Sequence, residues 1–392
     1  MKTINLEKKY ILQTYKRNPI EIQRCNGKFV WDSSGKKYLD LFCGISVNNL
    51  GHQNKKVTEA IKTQLSKYIH ISNLYYAKPQ AELARKLVEL SFPGVVFLSN
   101  SGAEANECAI KLARKYGYAS GKNEIISFKN SFHGRTIATL SATGQEKYHK
   151  NFEVLPGFKF AEFNNIESVK KLINKKTVAV IIEPILGEGG VVPAKKEFLK
   201  NLQTLCKKNG LILIFDEVQT GIGRTGEVFA FKHFGVVPDV FTLAKGLAGG
   251  LPLGATIISK KLSNVLSFGD HGSTFGGNPV SCSAAKAVLE VLDAKMLSNI
   301  RELGKYFSTK LSELKDKYDF VVDARGVGLM LGLELTIPCA EIVLKCAQEG
   351  FLINCIQERV LRFLPPFVIS KSDIDKFMNK LTQILEGIKN EP

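Results

Sequence analysis

The sequence predicts an α/β protein in which a three-layer unit is built on a mostly parallel sheet and a smaller α+β unit lies beside it. Short, wholly apolar runs bounded by Gly, Pro or Asp alternate with segments of helical apolar spacing. That alternation is typical of strands covered by helices on both faces. The chain has 392 residues, which exceeds one ordinary domain of ~100–200 residues, so a second unit is expected.

The first fifty residues predict a short antiparallel meander, because turn residues at Asn26-Gly27 and Ser34-Gly35 separate extended pieces. Helical apolar spacing follows from Val57 to Tyr68 and from Gln80 to Leu90. The extended pieces are Ile20–Cys25, Lys28–Asp32 and Lys37–Phe42.

From Val95 onward, buried strands alternate with helices, which predicts the parallel sheet. The predicted strands are Val95–Leu98, Glu124–Phe128, Val178–Ile182, Leu211–Phe215, Val240–Leu243 and Gly254–Ile258, and the helices between them include Ala103–Tyr118 and Lys196–Lys208. Because open α/β sheets bind ligands at the carboxyl ends of their strands, the site is expected at that edge.

A long helix, about Pro279–Ala294, is predicted to lead out of the large unit. The remaining chain predicts helices near Leu297–Tyr318 and Cys339–Glu349, strands near Leu329–Leu335 and Val360–Leu364, and a last helix from about Ser372. We therefore expect a large unit over residues 51–290, with a smaller domain formed by the N-terminal segment 1–50 and the C-terminal segment 291–392.

Composition excludes several classes of protein. Hydrophobic residues make up 44% and charged residues 23%, values that are ordinary for soluble globular proteins and argue against disorder. The charged N-terminus has no apolar core of a signal peptide, and the uncharged stretch Gly246–Ser259 is shorter than the ~20 residues of a membrane span. Eight cysteines without a Cys-x-x-Cys pair predict reduced, structural thiols in a cytoplasmic protein.

The formal net charge of +17 raises the question of nucleic-acid binding. The basic residues come singly or as doublets such as Lys55-Lys56, and no run reaches three. No zinc-finger, RNP or basic-zipper pattern accompanies them. A solvated lysine-rich surface, which can attract anionic substrates, is the interpretation that we adopt.

Two residues after buried strands carry the strongest chemical signal. Asp216 ends the apolar run in LILIFDEVQTG, where a carboxylate could hold a metal, a ribose hydroxyl or a protonated ring nitrogen. Lys245 follows the next apolar run in PDVFTLAKGLAGG, and a buried neutral amine is a nucleophile toward carbonyls. An acid and a lysine after neighbouring strands fit a pyridoxal phosphate enzyme. Val218 and Gln219 follow Asp216 closely enough to contact the same ring.

A phosphate site is predicted where a strand meets a helix. In LSNSGAEANE the backbone N–H groups of Ser101, Gly102 and Ala103 would lie at a helix N-terminus, which favours an anion. A second candidate is GSTFGGNP, in which the hydroxyl of Thr274 could hold another phosphate oxygen. Either segment alone is also compatible with an ordinary helix cap.

The segment FKNSFHGRT supplies candidates for ring stacking and carboxylate binding. Phe132 or His133 could stack on a flat heteroaromatic ring, and Arg135 has the planar fork that suits a substrate carboxylate. Without the other motifs, a core Phe and a surface Arg would be the simpler interpretations.

Together these segments make the chain resemble the class III aminotransferases of pyridoxal phosphate fold type I. The resemblance runs from about Tyr15 to the C-terminal helix, and within the class the chain looks most like the acetylornithine aminotransferases. It rests on the segments NSGAEANE, SFHGRT, EPILGEGG, DEVQTGIGRTG, PDVFTLAKGLAGG, HGSTFGGNP, RGVGLMLGLEL and LRFLPP. The N-terminal pieces GISVNNLGH and SNLYYAKPQ favour the acetylornithine branch less strongly.

The resemblance implies a role for each candidate residue. Lys245 would be the Schiff-base lysine and the general base, Asp216 the partner of the ring nitrogen, and Gln219 the contact to the phenolic oxygen. Phe132 and Val218 would enclose the ring, Gly102 and Ala103 would bind its phosphate, and Thr274 would bind the phosphate of the other subunit of a homodimer. Arg135 and Ser273 would contact the acylornithine, Arg362 the α-carboxylate of glutamate or 2-oxoglutarate, and Glu188 would pair with Arg362 when the other donor binds.

One position departs from the motifs of the family. Members often carry Gln where this chain has Leu186. The chain therefore lacks an amide that could form a hydrogen bond near Glu188. We expect this change to bear on the setting of Glu188 and on the acyl group preferred, and not on the type of reaction.

The resemblance implies transamination of N2-acetyl-L-ornithine with 2-oxoglutarate, which gives N-acetyl-L-glutamate 5-semialdehyde and L-glutamate in arginine biosynthesis. Ornithine, succinyldiaminopimelate and 4-aminobutyrate aminotransferases and a pyridoxal phosphate aminomutase are the alternatives within the class. A nucleic-acid-binding protein on a non-catalytic scaffold is the alternative from another class, and an absorbance scan with added pyridoxal phosphate would separate the two.

Overall fold

The computed structural model describes residues 2–389. Its strands are, in chain order, β1 (Ile22–Asn26), β2 (Phe29–Asp32), β3 (Lys37–Asp40), β4 (Gly94–Ser99), β5 (Glu124–Phe128), β6 (Phe158–Ala161), β7 (Thr177–Ile182), β8 (Ile185–Leu186), β9 (Val192–Pro193), β10 (Ile212–Asp216), β11 (Val240–Leu243), β12 (Gly254–Ser259), β13 (Val321–Val327), β14 (Met330–Leu335), β15 (Phe351–Leu352), β16 (Asn354–Ile356) and β17 (Val360–Phe363).

The helices alternate with these strands through the middle of the chain, and short 3₁₀ turns lie at Lys245–Ala248 and Lys260–Leu262. The helices are α1 (Lys2–Tyr10), α2 (Cys43–Ser46), α3 (Lys55–Leu65), α4 (Lys78–Leu90), α5 (Gly102–Tyr118), α6 (Ile137–Ala142), α7 (Glu146–His149), α8 (Ile166–Leu172), α9 (Lys196–Asn209), α10 (Ala230–Phe234), α11 (Pro279–Val291), α12 (Ala294–Ser312), α13 (Ala340–Gln348) and α14 (Lys371–Lys389).

The central sheet has the strand order β4-β12-β11-β10-β7-β5-β6. Five of its strands, from β11 to β6, run parallel, and β12 runs antiparallel to both of its neighbours. Every residue of β7, β10 and β11 is buried, as their largely apolar sequences predict for a sheet covered on both faces. The predicted α/β class with a mostly parallel sheet is confirmed.

The beginning of the chain pairs with its C-terminal part. Strands β1, β2 and β3 form an antiparallel meander, and β3 then pairs in parallel with β15. A separate antiparallel sheet of order β13-β14-β17-β16 holds the strand that carries Arg362. The division into residues 1–50, 51–290 and 291–392 stays a prediction.

The C-terminal end predicted for the long helix, about Pro279–Ala294, is wrong. Helix α11 ends at Val291, and Asp293 begins a new helix because its side chain accepts a hydrogen bond from the Met296 N–H. This is the N-cap geometry of a helix start, in which a carboxylate satisfies an otherwise free donor. Several short elements, among them α1, β6, β8 and β9, had no prediction.

The expectation that the cysteines are reduced is wrong for one pair. Cys339, at the start of α13, and Cys355, in β16, form a disulfide with a Cα–Cα distance of 5.8 Å. They lie 16 residues apart in sequence, so only the packing of α13 against β16 brings them together. The other cysteines of the described chain are free thiols.

None of the helices within residues 2–389 combines the length and the apolar character that crossing a membrane requires.

Candidate active site

A cavity of about 430 Å³ opens at the carboxyl ends of the central strands. Most of the residues singled out from the sequence lie in its wall. They are Ser101, Gly102, Ala103, Phe132, His133, Arg135, Glu188, Asp216, Val218, Gln219 and Lys245. Ser273, Thr274 and Arg362 do not line the cavity, although Arg362 contacts its wall through an ion pair with Glu188.

Asp216 and Lys245 follow adjacent strands, as the sequence predicts. Strands β10 and β11 pair in parallel, with Asp216 opposite Thr242. Asp216 is the last residue of its strand, and Lys245 comes two residues after Leu243 ends the neighbouring one. Because parallel strands end at the same edge, both side chains face one cavity.

Three donors hold the carboxylate of Asp216. Its Oδ2 accepts from Asn106 Nδ2 and from His133 Nδ1, both at 2.7 Å, and its Oδ1 accepts from the Val218 N–H at 3.0 Å. The His133 ring therefore carries a proton on Nδ1, and its buried Nε2 has no partner within the described chain. This network orients the carboxylate and keeps it an acceptor.

Lys245 has the environment of a reactive amine. It has a φ of +46°, a conformation that L-residues rarely adopt and that persists only where the surroundings impose it. Removal from water lowers the pKa of its ammonium group, against the opposing effect of nearby Glu188. A lysine held in this way loses its proton more easily than a surface lysine does.

The start of α5 forms one end of the cavity. Ser101 caps the helix, since its hydroxyl accepts from the Glu104 N–H at 3.2 Å. A Cβ atom on Gly102 would lie only 2.7 Å from the side chain of Val218, so only glycine lets these two walls approach. The free N–H groups of the first turn favour an anion at this end.

Phe132 lines the cavity and packs against aromatic and basic side chains behind it. Phe132 meets Tyr148 edge to face, with ring centroids 5.7 Å apart, and the guanidinium of Arg135 lies 4.0 Å from the centre of the Tyr148 ring. Burial raises the pKa of Tyr148, an effect that Arg135 opposes. Phe132 and His133 both line the cavity, and the His133 ring is hydrogen-bonded to Asp216.

Glu188 and Arg362 form an ion pair across two sheets. Arg362 lies in β17 with an exposed fraction of 1%, and its Nη1 donates to Glu188 Oε1 at 2.5 Å. The same nitrogen reaches Gly187 O at 3.2 Å and Gln219 Oε1 at 3.3 Å. Burial by itself would raise the pKa of Glu188, but Arg362 and Lys245 hold it below its ordinary value.

Ser273 and Thr274 lie outside the cavity. The Ser273 hydroxyl accepts from Asn100 Nδ2 at 3.0 Å and from the Gly276 N–H at 3.0 Å, and Thr274 is exposed. Their predicted contacts with acylornithine and with a phosphate group stay predictions.

Sequence reasoning missed three residues of this site: Asn106, Tyr148 and Glu183. Glu183 directly follows buried strand β7, and it accepts from the N–H groups of Phe132 and Gly187. Burial raises the pKa of Glu183 to about 7. An acid after a buried strand is the signal that identified Asp216, and it could have identified Glu183. Asn106 and Tyr148 have no such signal, because each reaches the site through helix packing.

Comparison with known proteins agrees with this geometry. The family model described as "Aminotransferase class-III" matches residues 10–385. An acetylornithine aminotransferase of Methanocaldococcus jannaschii is 52% identical over 98% of each chain, and one of Aquifex aeolicus is 51% identical over 96% of this chain and all of its own. A Toxoplasma gondii ornithine aminotransferase structure with partial occupancy of PLP at its active site has a TM-score of 0.94 and 32% identity, covering 99% of this chain and 94% of its own.

The chain therefore belongs to the class III aminotransferases, and the resemblance seen in its sequence is confirmed. It is a transaminase, and the cofactor of its class is pyridoxal phosphate. The residues present fit that group, since one cavity combines a low-pKa lysine, a fixed carboxylate, an aromatic wall and a helix N-terminus.

Proposed function

We propose that this enzyme transfers the δ-amino group of N2-acetyl-L-ornithine to 2-oxoglutarate, giving N-acetyl-L-glutamate 5-semialdehyde and L-glutamate in arginine biosynthesis. The acetylornithine aminotransferases that are 46–52% identical over nearly the whole chain support this choice of substrate over ornithine. The observation that carries the proposal within the chain is the buried Glu188–Arg362 pair beside Lys245.

Each cofactor-binding residue has a defined task in this proposal. Asp216 would hold a proton on the ring nitrogen, the first turn of α5 at Gly102 and Ala103 would bind the phosphate, and Gln219 would contact the phenolic oxygen. Phe132 and Val218 would enclose the ring from opposite faces. When bound, pyridoxal phosphate receives the amino group and withdraws electrons from the reacting carbon.

Lys245 has two tasks. Its Nζ would bond to the cofactor in the resting enzyme, and once released it would move the proton at the reacting carbon of the substrate. The lowered pKa of Lys245 favours a neutral amine that can accept this proton. Because the released amine would remain in the same cavity as the bound substrate, proximity would contribute much of the rate.

The substrates differ in the charge that they bring. 2-oxoglutarate carries a carboxylate that can pair with Arg362, whereas the ω-amino end of acetylornithine carries none. A Glu188 side chain that pairs with Arg362 when acetylornithine binds, and moves aside for the dicarboxylate, lets one cavity accept both. Arg135 and Ser273 are proposed to contact the acylated end of the donor.

A homodimer is part of the proposal, with Thr274 of each subunit reaching the phosphate of the other. Thr274 is exposed beside the apolar side chains of Phe275, Leu74 and Tyr76, which are exposed as well. Asn73 joins the two segments, because its Nδ2 donates to Ser273 O and Gly276 O at 2.9 and 3.0 Å. An exposed apolar patch of this kind marks an interaction surface. We propose a cytoplasmic location.

The test is a coupled assay of glutamate formation by the purified holoenzyme with 2-oxoglutarate and one amino donor at a time. Acetylornithine is expected to give the highest kcat/KM, ahead of ornithine, succinyldiaminopimelate and 4-aminobutyrate. A preference for ornithine would contradict the proposed substrate. Sedimentation should give a dimer, and a stable, fully active monomer would contradict the shared site.

A further inference from the structure

A hairpin of the C-terminal sheet contacts both partners of the Glu188–Arg362 pair. Strands β16 and β17 run antiparallel, with Asn354 opposite Arg362, and Asn354 Oδ1 accepts from Arg362 Nε at 3.2 Å. The turn between the strands contains Gln357 and Glu358, whose φ values are +47° and +62°. Two adjacent left-handed residues without glycine need outside support to persist.

Two links to the start of α13 give that support. The Cys339–Cys355 disulfide joins the start of α13 to β16. The Cys339 N–H also donates to the main-chain oxygen of Glu358 at 2.9 Å. The turn is therefore tied covalently on one side and by a main-chain hydrogen bond at its tip. Gln357 is therefore held in a defined place.

Gln357 reaches the segment that carries Glu188. Its Nε2 donates to the main-chain oxygen of Glu188 at 2.7 Å and to Gln145 Oε1 at 3.0 Å. Gln145 in turn donates to Asn130 O and Ser131 O, at 3.3 and 3.2 Å, next to Phe132. One amide thus connects the C-terminal hairpin with both loops that form the substrate side of the cavity.

The glycines beside Glu188 are close-packed positions. A Cβ atom on Gly187 would lie 2.5 Å from Gln219 Oε1, and one on Gly189 would lie 2.5 Å from Asn130 O. Neither glycine has a left-handed φ. The backbone on both sides of Glu188 is therefore confined, while its side chain makes an ion pair that a substrate carboxylate can replace.

We propose that Gln357 is a positioning residue that clamps the main chain of Glu188, so that the carboxylate switch works by rotation of the Glu188 side chain alone. This inference rests on the proposed function, in which Glu188 pairs with Arg362 in one half-reaction and releases it in the other. Because the backbone is clamped, the Glu188 carboxylate returns to the same place beside Arg362 after each turnover. In that place it masks Arg362, and acetylornithine can then compete with glutamate.

Hydrogen–deuterium exchange of the holoenzyme tests the clamp without any substrate. In Gln357→Met, which keeps the shape and removes the donor, amides in peptides that cover residues 185–191 should exchange roughly three- to tenfold faster, as the loss of one hydrogen bond implies. Gln357→Glu, whose carboxylate accepts and does not donate, is the second variant to use if Gln357→Met folds poorly. The same peptides should exchange faster in it. Glu358→Gln, at the exposed next position of the same turn, is the matched control and should exchange at the wild-type rate.

Rapid-mixing measurement of the separate half-reactions tests the consequence. Gln357→Met should shift the ratio of kcat/KM for glutamate to that for acetylornithine by roughly three- to tenfold toward glutamate, and Glu358→Gln should not shift it. Unchanged exchange, an equal rise in both turn variants, or faster exchange with an unchanged ratio would each overturn the inference. Because the exchange experiment uses no substrate, failure of the wild type to react with acetylornithine would count against the proposed function alone.

Discussion

The cavity has two sides that are built in different ways. On the cofactor side, Asp216 is held by three donors, and Lys245 follows the neighbouring strand of the same sheet. On the substrate side, Glu188 lies in the turn between β8 and β9, which form a two-stranded sheet, whereas Arg362 belongs to the C-terminal sheet. The first side is fixed by one sheet, and the second joins two sheets through the ion pair that we propose a substrate carboxylate replaces.

The two buried arginines, Arg224 and Arg362, differ in the same way as the two sides of the cavity. Arg224 has no exposed surface, and it donates to Ser46 Oγ, to the side-chain oxygen of Asn49 and to the main-chain oxygens of Leu329 and Pro365. Burial lowers its pKa to about 10. The hydrogen-bond acceptors of Arg224 are uncharged groups of the protein, whereas the partner of Arg362 is a carboxylate. In our proposal, a carboxylate of the dicarboxylate substrate takes the place of that partner.

Loss of the lysine on the fixed side should have the largest effect. Lys245→Ala should slow both half-reactions by ~10³-fold or more, because bond formation to the cofactor and proton transfer both depend on its Nζ. Single-turnover rates with each substrate check this, and circular dichroism checks that the fold is intact. Wild-type turnover by this variant would remove the central assignment.

Asp216→Asn should be the next most damaging change, again in both half-reactions. The amide cannot supply the negative charge that keeps the ring nitrogen protonated, so we expect a loss of ~10²-fold or more in rate while the cofactor stays bound. Cofactor content and half-reaction rates should be measured on the same preparation. Nearly full activity with normal cofactor content would exclude Asp216 as the ring partner.

The substrate side should respond unequally. Arg362→Ala should raise KM for 2-oxoglutarate far more than for acetylornithine, since loss of a buried charged contact costs roughly 2–5 kcal/mol, or at least ~30-fold in KM. Arg224→Lys is the control for a buried arginine, and it should lower the melting temperature with little change in the ratio of the two KM values. Equal rises for both substrates in Arg362→Ala would make Arg362 a structural residue like Arg224.

Glu188→Ala should shift the enzyme in the opposite direction and by less. Without Glu188, Arg362 is unmasked and should favour glutamate as the amino donor. The reaction with acetylornithine should weaken by ~10-fold, which is about the effect of losing one charged hydrogen bond. Stopped-flow rates for the two half-reactions give the comparison. The switch is contradicted if both half-reactions slow to the same extent.

Leu186→Gln should have the smallest effect on selectivity. Leu186 is buried in β8, opposite Val192, and the Gln219 amide already helps to lower the pKa of Glu188. A new amide at position 186 should therefore change the half-reaction ratio less than ~2-fold, while burial of a polar group lowers stability by about 1–3 kcal/mol. Denaturant unfolding and the same rapid-mixing assay measure both. A large shift in the ratio would mean that position 186 does help to set Glu188.

The pattern of apolar runs predicted six of the seven central strands, because a strand covered on both faces is apolar at most of its positions. Strands β5 and β11 have the predicted bounds, β4, β7, β10 and β12 differ by one residue at one or both ends, and β6 was not predicted. Helix ends were less predictable: the break before Asp293 depends on a single cap, which a window of periodicity does not resolve. The roles given to the site residues stay predictions.

The sequence by itself determined the family and the adjacency of Asp216 and Lys245. Asp216 and Lys245 could be paired in advance, because the ends of adjacent parallel strands must meet at one edge of a sheet. Only the tertiary structure decided the contacts that join different elements: His133 and Asn106 on Asp216, Gln357 on the Glu188 main chain, and the Cys339–Cys355 disulfide. Such contacts depend on how helices and sheets pack in three dimensions, and no local pattern of residues encodes that packing.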